Sequence, residues 1–211
     1  MLAAEVAFRP GQLTLAGTEL RYLDAGAGTP VVVLVGSLAA PARGLELLAG
    51  RCRVVLLEVG APSAESRNGH TGPIAALAEA ARQVAGGPFA LLGAADQARL
   101  ALRVATQAAA DITSVMLVAP EDAVEAELRS ELAGLMLPVL VVHGTEDRVT
   151  PPEQARDYAA VLPAAFFMLV YDAGHAIDRD RPEAFASLLG DFVTLGGREF
   201  LAPPESTLIN P

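Results

Sequence analysis

Short apolar runs, spaced by stretches of helical pattern, constrain this chain more than any other feature. Val31-Val-Val-Leu-Val35 is continuous and mostly β-branched, and Val54-Val-Leu-Leu57 is a second such run. Runs of this kind suit strands covered on both faces. Phe89 to Leu92, Ser114 to Val118, Val139 to Val142 and Phe166 to Tyr171 are four more. Gln12 to Ala16 and Glu19 to Asp24 read as two short strands joined by a turn at Gly17. Helical patterns fall between the runs: Pro73 to Ala85, Asp96 to Ala109, Pro152 to Val161 and Arg181 to Leu195. Pro73 fits a first helical turn, and Ile74, Leu77 and Ala81 follow at helical spacing. Strands alternating with helices predict an α/β fold, a mostly parallel sheet with helices on both faces.

The 211 residues suit one domain over residues 1–195, with a C-terminal tail over 196–211 rich in Gly, Pro, Ser and Thr. A net charge of −10 argues against nucleic acid, which needs a basic footprint. Cys52 is the single cysteine, so neither an internal disulfide nor a CxxC zinc pattern is available. The three histidines are scattered, and no metal or other cofactor is expected. The first residues lack a basic segment followed by a long apolar one, and no apolar run is long enough to span a membrane. These features predict a cytoplasmic protein without a membrane partner. They leave self-association open.

Four landmarks carry more specific information. Glu19-Leu-Arg-Tyr-Leu-Asp-Ala-Gly26 precedes a Gly/Pro turn and an apolar strand. Phe89-Ala-Leu-Leu-Gly-Ala-Ala-Asp-Gln-Ala98 reads as a strand, a sharp turn and the start of a helix. Pro138-Val-Leu-Val-Val-His-Gly-Thr-Glu-Asp147 places a carboxylate just past a strand. Asp172-Ala-Gly-His-Ala176 places a histidine in a small-residue loop. In this order and spacing they resemble the α/β-hydrolase superfamily, over roughly Gln12 to Leu195. The resemblance implies a nucleophile elbow at the second landmark, the acid of a triad at Asp147 and its histidine at His175. An Asp–His pair fixes the imidazole tautomer and leaves the far ring nitrogen to exchange a proton.

The chain departs from that family pattern where the chemistry would sit. Ala95 stands at the place of the serine nucleophile. Gln97 stands where a small residue is usual, which suggests a relaxed or altered turn. Val35-Gly36-Ser37 replaces the usual His-Gly, although the amide near Ser37 still suits an oxyanion donor, with Gly36 and Asp96 as companions in the pocket. Glu58-Val-Gly-Ala-Pro-Ser63 replaces a loop usually opened by Asp. Asp96 reads as the N-cap of the following helix rather than as a shifted nucleophile. Ser37 reads as a turn residue, Cys52 as an inert core thiol, His143 as structural and His70 as outside the chemistry. Only about 20 residues separate Ala119 from Pro138, too few for a multi-helix lid, so the pocket should be open or only partly covered.

Three functions fit this pattern. One is a lyase-, cyclase- or isomerase-like enzyme whose His175–Asp147 dyad acts as general base on a small or carrier-bound carbonyl substrate. The second is a catalytically inactive homologue serving as a binding or scaffold subunit, with a protein partner over the open site. The third is an ester or thioester hydrolase whose serine has been replaced by Ala95.

Overall fold

The computed structural model describes residues 6–15, 18–59, 71–121, 124 and 126–197. The turn at Gly17, the loop residues 60–63, His70 and the tail beyond Gly197 lie outside them. Eight strands form one sheet in the order β1-β2-β4-β3-β5-β6-β7-β8. These are β1 Arg9–Leu15, β2 Thr18–Ala25, β3 Pro30–Val35, β4 Arg53–Glu58, β5 Phe89–Ala94, β6 Ile112–Val118, β7 Val139–Gly144 and β8 Ala165–Val170. The β1–β2 and β2–β4 pairs are antiparallel, and the pairs from β4 across to β8 are parallel. The described helices are α1 Arg43–Ala49, α2 Thr71–Ala85, α3 Gln97–Gln107, α4 Ala126–Leu132, α5 Pro152–Val161, α6 Ile177–Asp180 and α7 Pro182–Thr194.

The continuous apolar runs are the centre of this sheet. Successive strand residues point to opposite faces, so Val32 and Leu34 enter one apolar cluster while Val31 and Val33 enter another. The first cluster holds residues of α2, α3 and α5, and the second holds residues of α1 and α7. Both faces of the central strands β3 to β7 are therefore largely buried. The Phe166 to Tyr171 run behaves differently, because β8 is an edge strand. Phe167 packs on the first cluster, while Phe166, Met168 and Leu169 stay exposed.

Charged groups fasten the margins. Arg53 on β4 pairs with Asp24 on β2 at 2.7 Å, and its guanidinium also donates to the Val84 and Ala85 carbonyls at the end of α2. Asp24 belongs to the first landmark, which thus ties a strand edge to a helix terminus. Glu58 at the end of β4 pairs with Arg21 and accepts the Leu38 amide at 3.1 Å. The residue that departs from the family Asp therefore anchors the loop that follows β3. Between Val118 and Val139, α4 is the one helix described, and no multi-helix cap is seen among the described residues. No described helix is long and apolar enough to cross a membrane.

Gly93 sets how closely α3 approaches β5. A Cβ there would lie 2.5 Å from the Gln97 carbonyl oxygen, 2.7 Å from Ala101 Cβ and 2.9 Å from Ala98 Cα. Two of these neighbours are backbone and cannot yield cheaply. Gly93→Ala is therefore expected to cost about 1–3 kcal/mol, as overpacking does. Gly87→Ala, with nothing within 4 Å of the added methyl, should stay within about 0.5 kcal/mol. Urea denaturation of the two variants checks this, and equal losses would contradict it.

Candidate active site

The site lies where the C-terminal ends of β5, β6 and β7 meet, the usual place for a ligand in an open parallel sheet. At β5 the chain turns sharply into α3. Ala95 has φ +51°, a left-handed conformation that costs a non-glycine residue roughly 1–2 kcal/mol. Hydrogen bonds impose it: the Ala95 amide donates to the Val118 carbonyl at 2.9 Å, and its carbonyl accepts the Ala98 amide at 3.2 Å. The turn is strained rather than relaxed, contrary to what Gln97 suggests. Gln97 turns inward, only 3% exposed, and its side-chain oxygen and nitrogen are buried without a hydrogen-bond partner among the described residues. Asp96 occupies the N-cap position with an exposed side chain, but that side chain makes no capping hydrogen bond.

The Asp147 and His175 loops are stitched together by backbone. A Cβ on Gly144 would strike the carbonyl oxygens of Ala173 and Gly174, so only glycine lets the loops touch. The Glu146 amide donates to Ala173 O at 2.8 Å, and the Thr145 amide to Val170 O at 3.0 Å. The Gly174 amide donates to the Asp180 carboxylate at 2.8 Å, which holds the histidine loop against α6. His175 Nδ1 then lies 2.9 Å from Asp147 Oδ2.

The Asp147 carboxylate is fully buried and saturated with donors. Oδ1 accepts the Val149 and Thr150 amides at 2.8 and 3.1 Å, and Oδ2 accepts the Thr150 hydroxyl at 3.0 Å besides His175. Burial alone would raise its pKa, but these donors together hold it below the usual carboxylate value. An ionised Asp147 makes Nδ1 the protonated nitrogen, which directs the Nε2 lone pair away from the acid. One carboxylate thus closes the turn at Val149 and Thr150 and also holds the His175 ring.

Nε2 faces a residue that the sequence did not single out. Glu121 Oε1 lies 3.1 Å from it, without hydrogen-bond alignment. The Glu121 amide donates to the Ala95 carbonyl at 3.3 Å, and its own carbonyl accepts the Tyr158 hydroxyl at 3.2 Å. The chain reaches this position through Ala119, at φ +45°, whose amide donates to Val142 O at 2.8 Å. In the sequence Glu121 is one acidic residue among several in 121–132. Only the pairing of β6 with β7 and its tie to the elbow bring it to His175.

A cavity of about 300 Å³ opens beside Ala95 and His175. Val33, Val35, Leu92, Val118 and Phe185 make its wall largely apolar, and Asp178 and Arg179 contribute to its lining. Burial pushes the Asp178 carboxyl up, more than the neighbouring Arg179 lowers it. Gly36, Ser37 and Asp96 are not among the lining residues, and Ser37 is exposed. Cys52 is 1% exposed, and burial pushes its thiol up to about 12, as an inert core cysteine requires. Among the described residues no cluster of His, Cys, Asp or Glu is arranged to hold a metal.

A sequence model of the alpha/beta hydrolase fold matches residues 57–177. The chain belongs to this family. Protein ABHD8 of Homo sapiens and of Mus musculus is 36% identical to it over 61 residues, 29% of this chain and 14% of ABHD8. The chain thus matches only a small part of the length of these relatives. Among solved structures, a serine hydrolase of carbazole degradation (CarC) superposes with TM-score 0.73 at 18% identity, covering 90% of this chain and 100% of that one. A CIB-like hydrolase from Thermoplasma acidophilum superposes with TM-score 0.71 at 15% identity, over 89% and 98%. Carboxylesterase CesB from Bacillus subtilis gives TM-score 0.72 at 12% identity, over 90% and 93%. At these identities the likeness is one of fold.

The second histidine near the acid makes stability depend on pH. His143 is fully buried, with Nε2 3.7 Å from Asp147 Oδ2. Burial lowers its pKa more than Asp147 raises it. The unfolded chain therefore takes up this proton first, and stability falls as the pH drops below about 6.5, by about 1.4 kcal/mol per pH unit until the folded value is reached. The Asp147 contribution has the lowered carboxylate sign, so it persists above about pH 4 and is lost only below. His143→Gln should flatten the decline of the urea midpoint between pH 7 and 5. An unchanged decline would show that His143 does not carry it.

Proposed function

We propose that this α/β-hydrolase-fold chain is a cofactor-independent acid–base catalyst that acts on a small carbonyl compound without forming a covalent intermediate. The observation that carries this reading is the Asp147–His175 hydrogen bond of 2.9 Å beside an apolar cavity whose nucleophile position holds only the Ala95 methyl group. His175 Nε2 takes a proton from the carbon next to the carbonyl, whose oxygen becomes an enolate. The proton then returns to a different atom, giving an isomerase-, cyclase- or lyase-like outcome. Backbone amides are the donors this reading needs for the enolate, and Asp96, Ser37 and Gly36, the candidates from the sequence, stand outside the cavity lining. A carrier-bound substrate suits the same site, since no multi-helix cap is described over it. A cytoplasmic location belongs to this reading.

A second reading, a binding or scaffold subunit, is favoured by one feature. Glu121 already occupies the nitrogen that would do the work.

Deuterium uptake at the α-carbon of acetylacetone and 2-butanone in D2O, followed by NMR, tests the first reading. The parent chain should accelerate uptake, and His175→Gln should lose about 100-fold or more of that acceleration. Asp147→Asn should also lose most of it, since the imidazole tautomer is no longer fixed. No acceleration by the parent, with a protein partner bound over the cavity, would replace this reading with the scaffold. Strong hydrolysis of activated esters on Ala95→Ser alone would replace it with a hydrolase that lost its serine.

A further inference from the structure

Ala95 removes the hydroxyl that a serine hydrolase would use at this turn. The geometry around His175 points to a second obstacle to hydrolysis. We infer that Glu121 is a specificity-determining residue of this site: its carboxylate holds the face of His175 that a hydroxyl nucleophile at position 95, and the water releasing its acyl group, would need, and so is a second block on hydrolysis besides Ala95. The inference rests on the reading of His175 Nε2 as the working atom. It does not depend on which reaction that atom performs.

Two features of Glu121 carry it. The first is placement. Oε1 stands 3.1 Å from Nε2, the separation a serine hydroxyl or a catalytic water would have to adopt. The second is anchorage. The Glu121 backbone is fixed on both sides, by the Ala95 carbonyl and the Tyr158 hydroxyl, while its side chain remains 37% exposed. The residue therefore cannot leave the site, and displacing its carboxylate takes a ligand seated on the apolar cavity wall, which a hydroxyl at position 95 is not. The approach lacks hydrogen-bond alignment, so proximity rather than a hydrogen bond is what sets Oε1 against Nε2. Its tie to Ala95 also links it to the elbow, so the nucleophile position and its blocker share one backbone junction.

The chemistry that Glu121 excludes can be written out. With a hydroxyl at position 95, Oγ would attack an ester carbonyl as its proton moved to Nε2. The alcohol would leave with that proton, and water would then release the acid and restore the hydroxyl. Every proton in this cycle passes through Nε2. A carboxylate standing there denies the hydroxyl its base and places a negative charge beside the developing oxyanion.

The test uses the full chain in four forms: parent, Ala95→Ser, Glu121→Ala, and Ala95→Ser with Glu121→Ala. Hydrolysis of p-nitrophenyl acetate should remain near the buffer rate in the first three and rise roughly 100-fold in the fourth. A parallel readout does not involve turnover. Diethyl pyrocarbonate modifies unprotonated imidazole nitrogen, and peptide mass spectrometry resolves His175 from His143. Modification of His175 should be several-fold faster in Glu121→Ala than in the parent, because removal of the carboxylate uncovers Nε2. Glu121→Gln, which keeps the size of the side chain, should give an intermediate rate and guards against a folding defect in the alanine variant. Full esterase activity in Ala95→Ser alone would overturn the inference, and so would unchanged His175 modification in both Glu121 variants. Faster modification without any deuterium-exchange activity in the parent would leave Glu121 as the blocker and remove only the acid–base reading.

Discussion

The backbone of Ala173 and Gly174 lies in the space that a side chain on residue 144 would fill, and the site depends on that contact. It presses the turn after β7 against the turn after β8, and amide hydrogen bonds across the seam fix their relative height. Asp147 leaves the first turn and His175 the second, so their 2.9 Å hydrogen bond follows from backbone packing and needs no search by flexible side chains. A pair held this way is preorganised. The four donors on Asp147 complete the arrangement by keeping a buried carboxylate ionised.

Much of this was legible in the sequence, for physical reasons that differ by residue. The strands were legible because a sheet covered on both faces demands short continuous apolar runs, and helical patterns separate them here. Helix α5 was legible from Pro152 at its start, and it begins and ends where the pattern placed it. Asp147 and His175 were legible because each sits in a short loop directly after an apolar strand, beside the glycine that lets the two loops meet. Ala95 was legible from Gly93, the residue that must stay bare where α3 crosses β5.

The rest required distant partners. Glu121 comes to His175 only because Ala119 takes a left-handed turn imposed by β7, and because an elbow carbonyl some 25 residues earlier accepts its amide. No local pattern encodes that. Helix α1, over Arg43–Ala49, has no side-chain cap and is held instead by α7 and α6 packed on it, with Gly44 admitting the Asp178 backbone. Gln97 misled because a large polar residue at a tight turn argues for a wider one. The side chain turns inward and the strain stays. The Phe166 to Tyr171 run gave no sign that β8 would be an edge, since position in a sheet is a property of the whole topology.

The persistence of a strained elbow without a nucleophile bears on how such sites should be read. Strain at a catalytic turn is often taken as evidence of function, because strained residues cluster at active sites. Here the left-handed conformation of Ala95 is over-determined by its own junction. Its amide is spent on β6, and its carbonyl receives one amide from α3 and another from Glu121. Relaxing φ would break three hydrogen bonds, each worth about 1 kcal/mol, to relieve a strain of roughly 1–2 kcal/mol. The turn would therefore survive whether or not any reaction used it, and its survival says nothing about catalysis. The Asp147–His175 pair is less easily explained by packing alone, because the Asp147 loop is already capped by Thr150 and Val149 without it. The imidazole added there still helps to keep the buried carboxylate ionised, and it also faces the cavity, so folding and the proposed chemistry both draw on it.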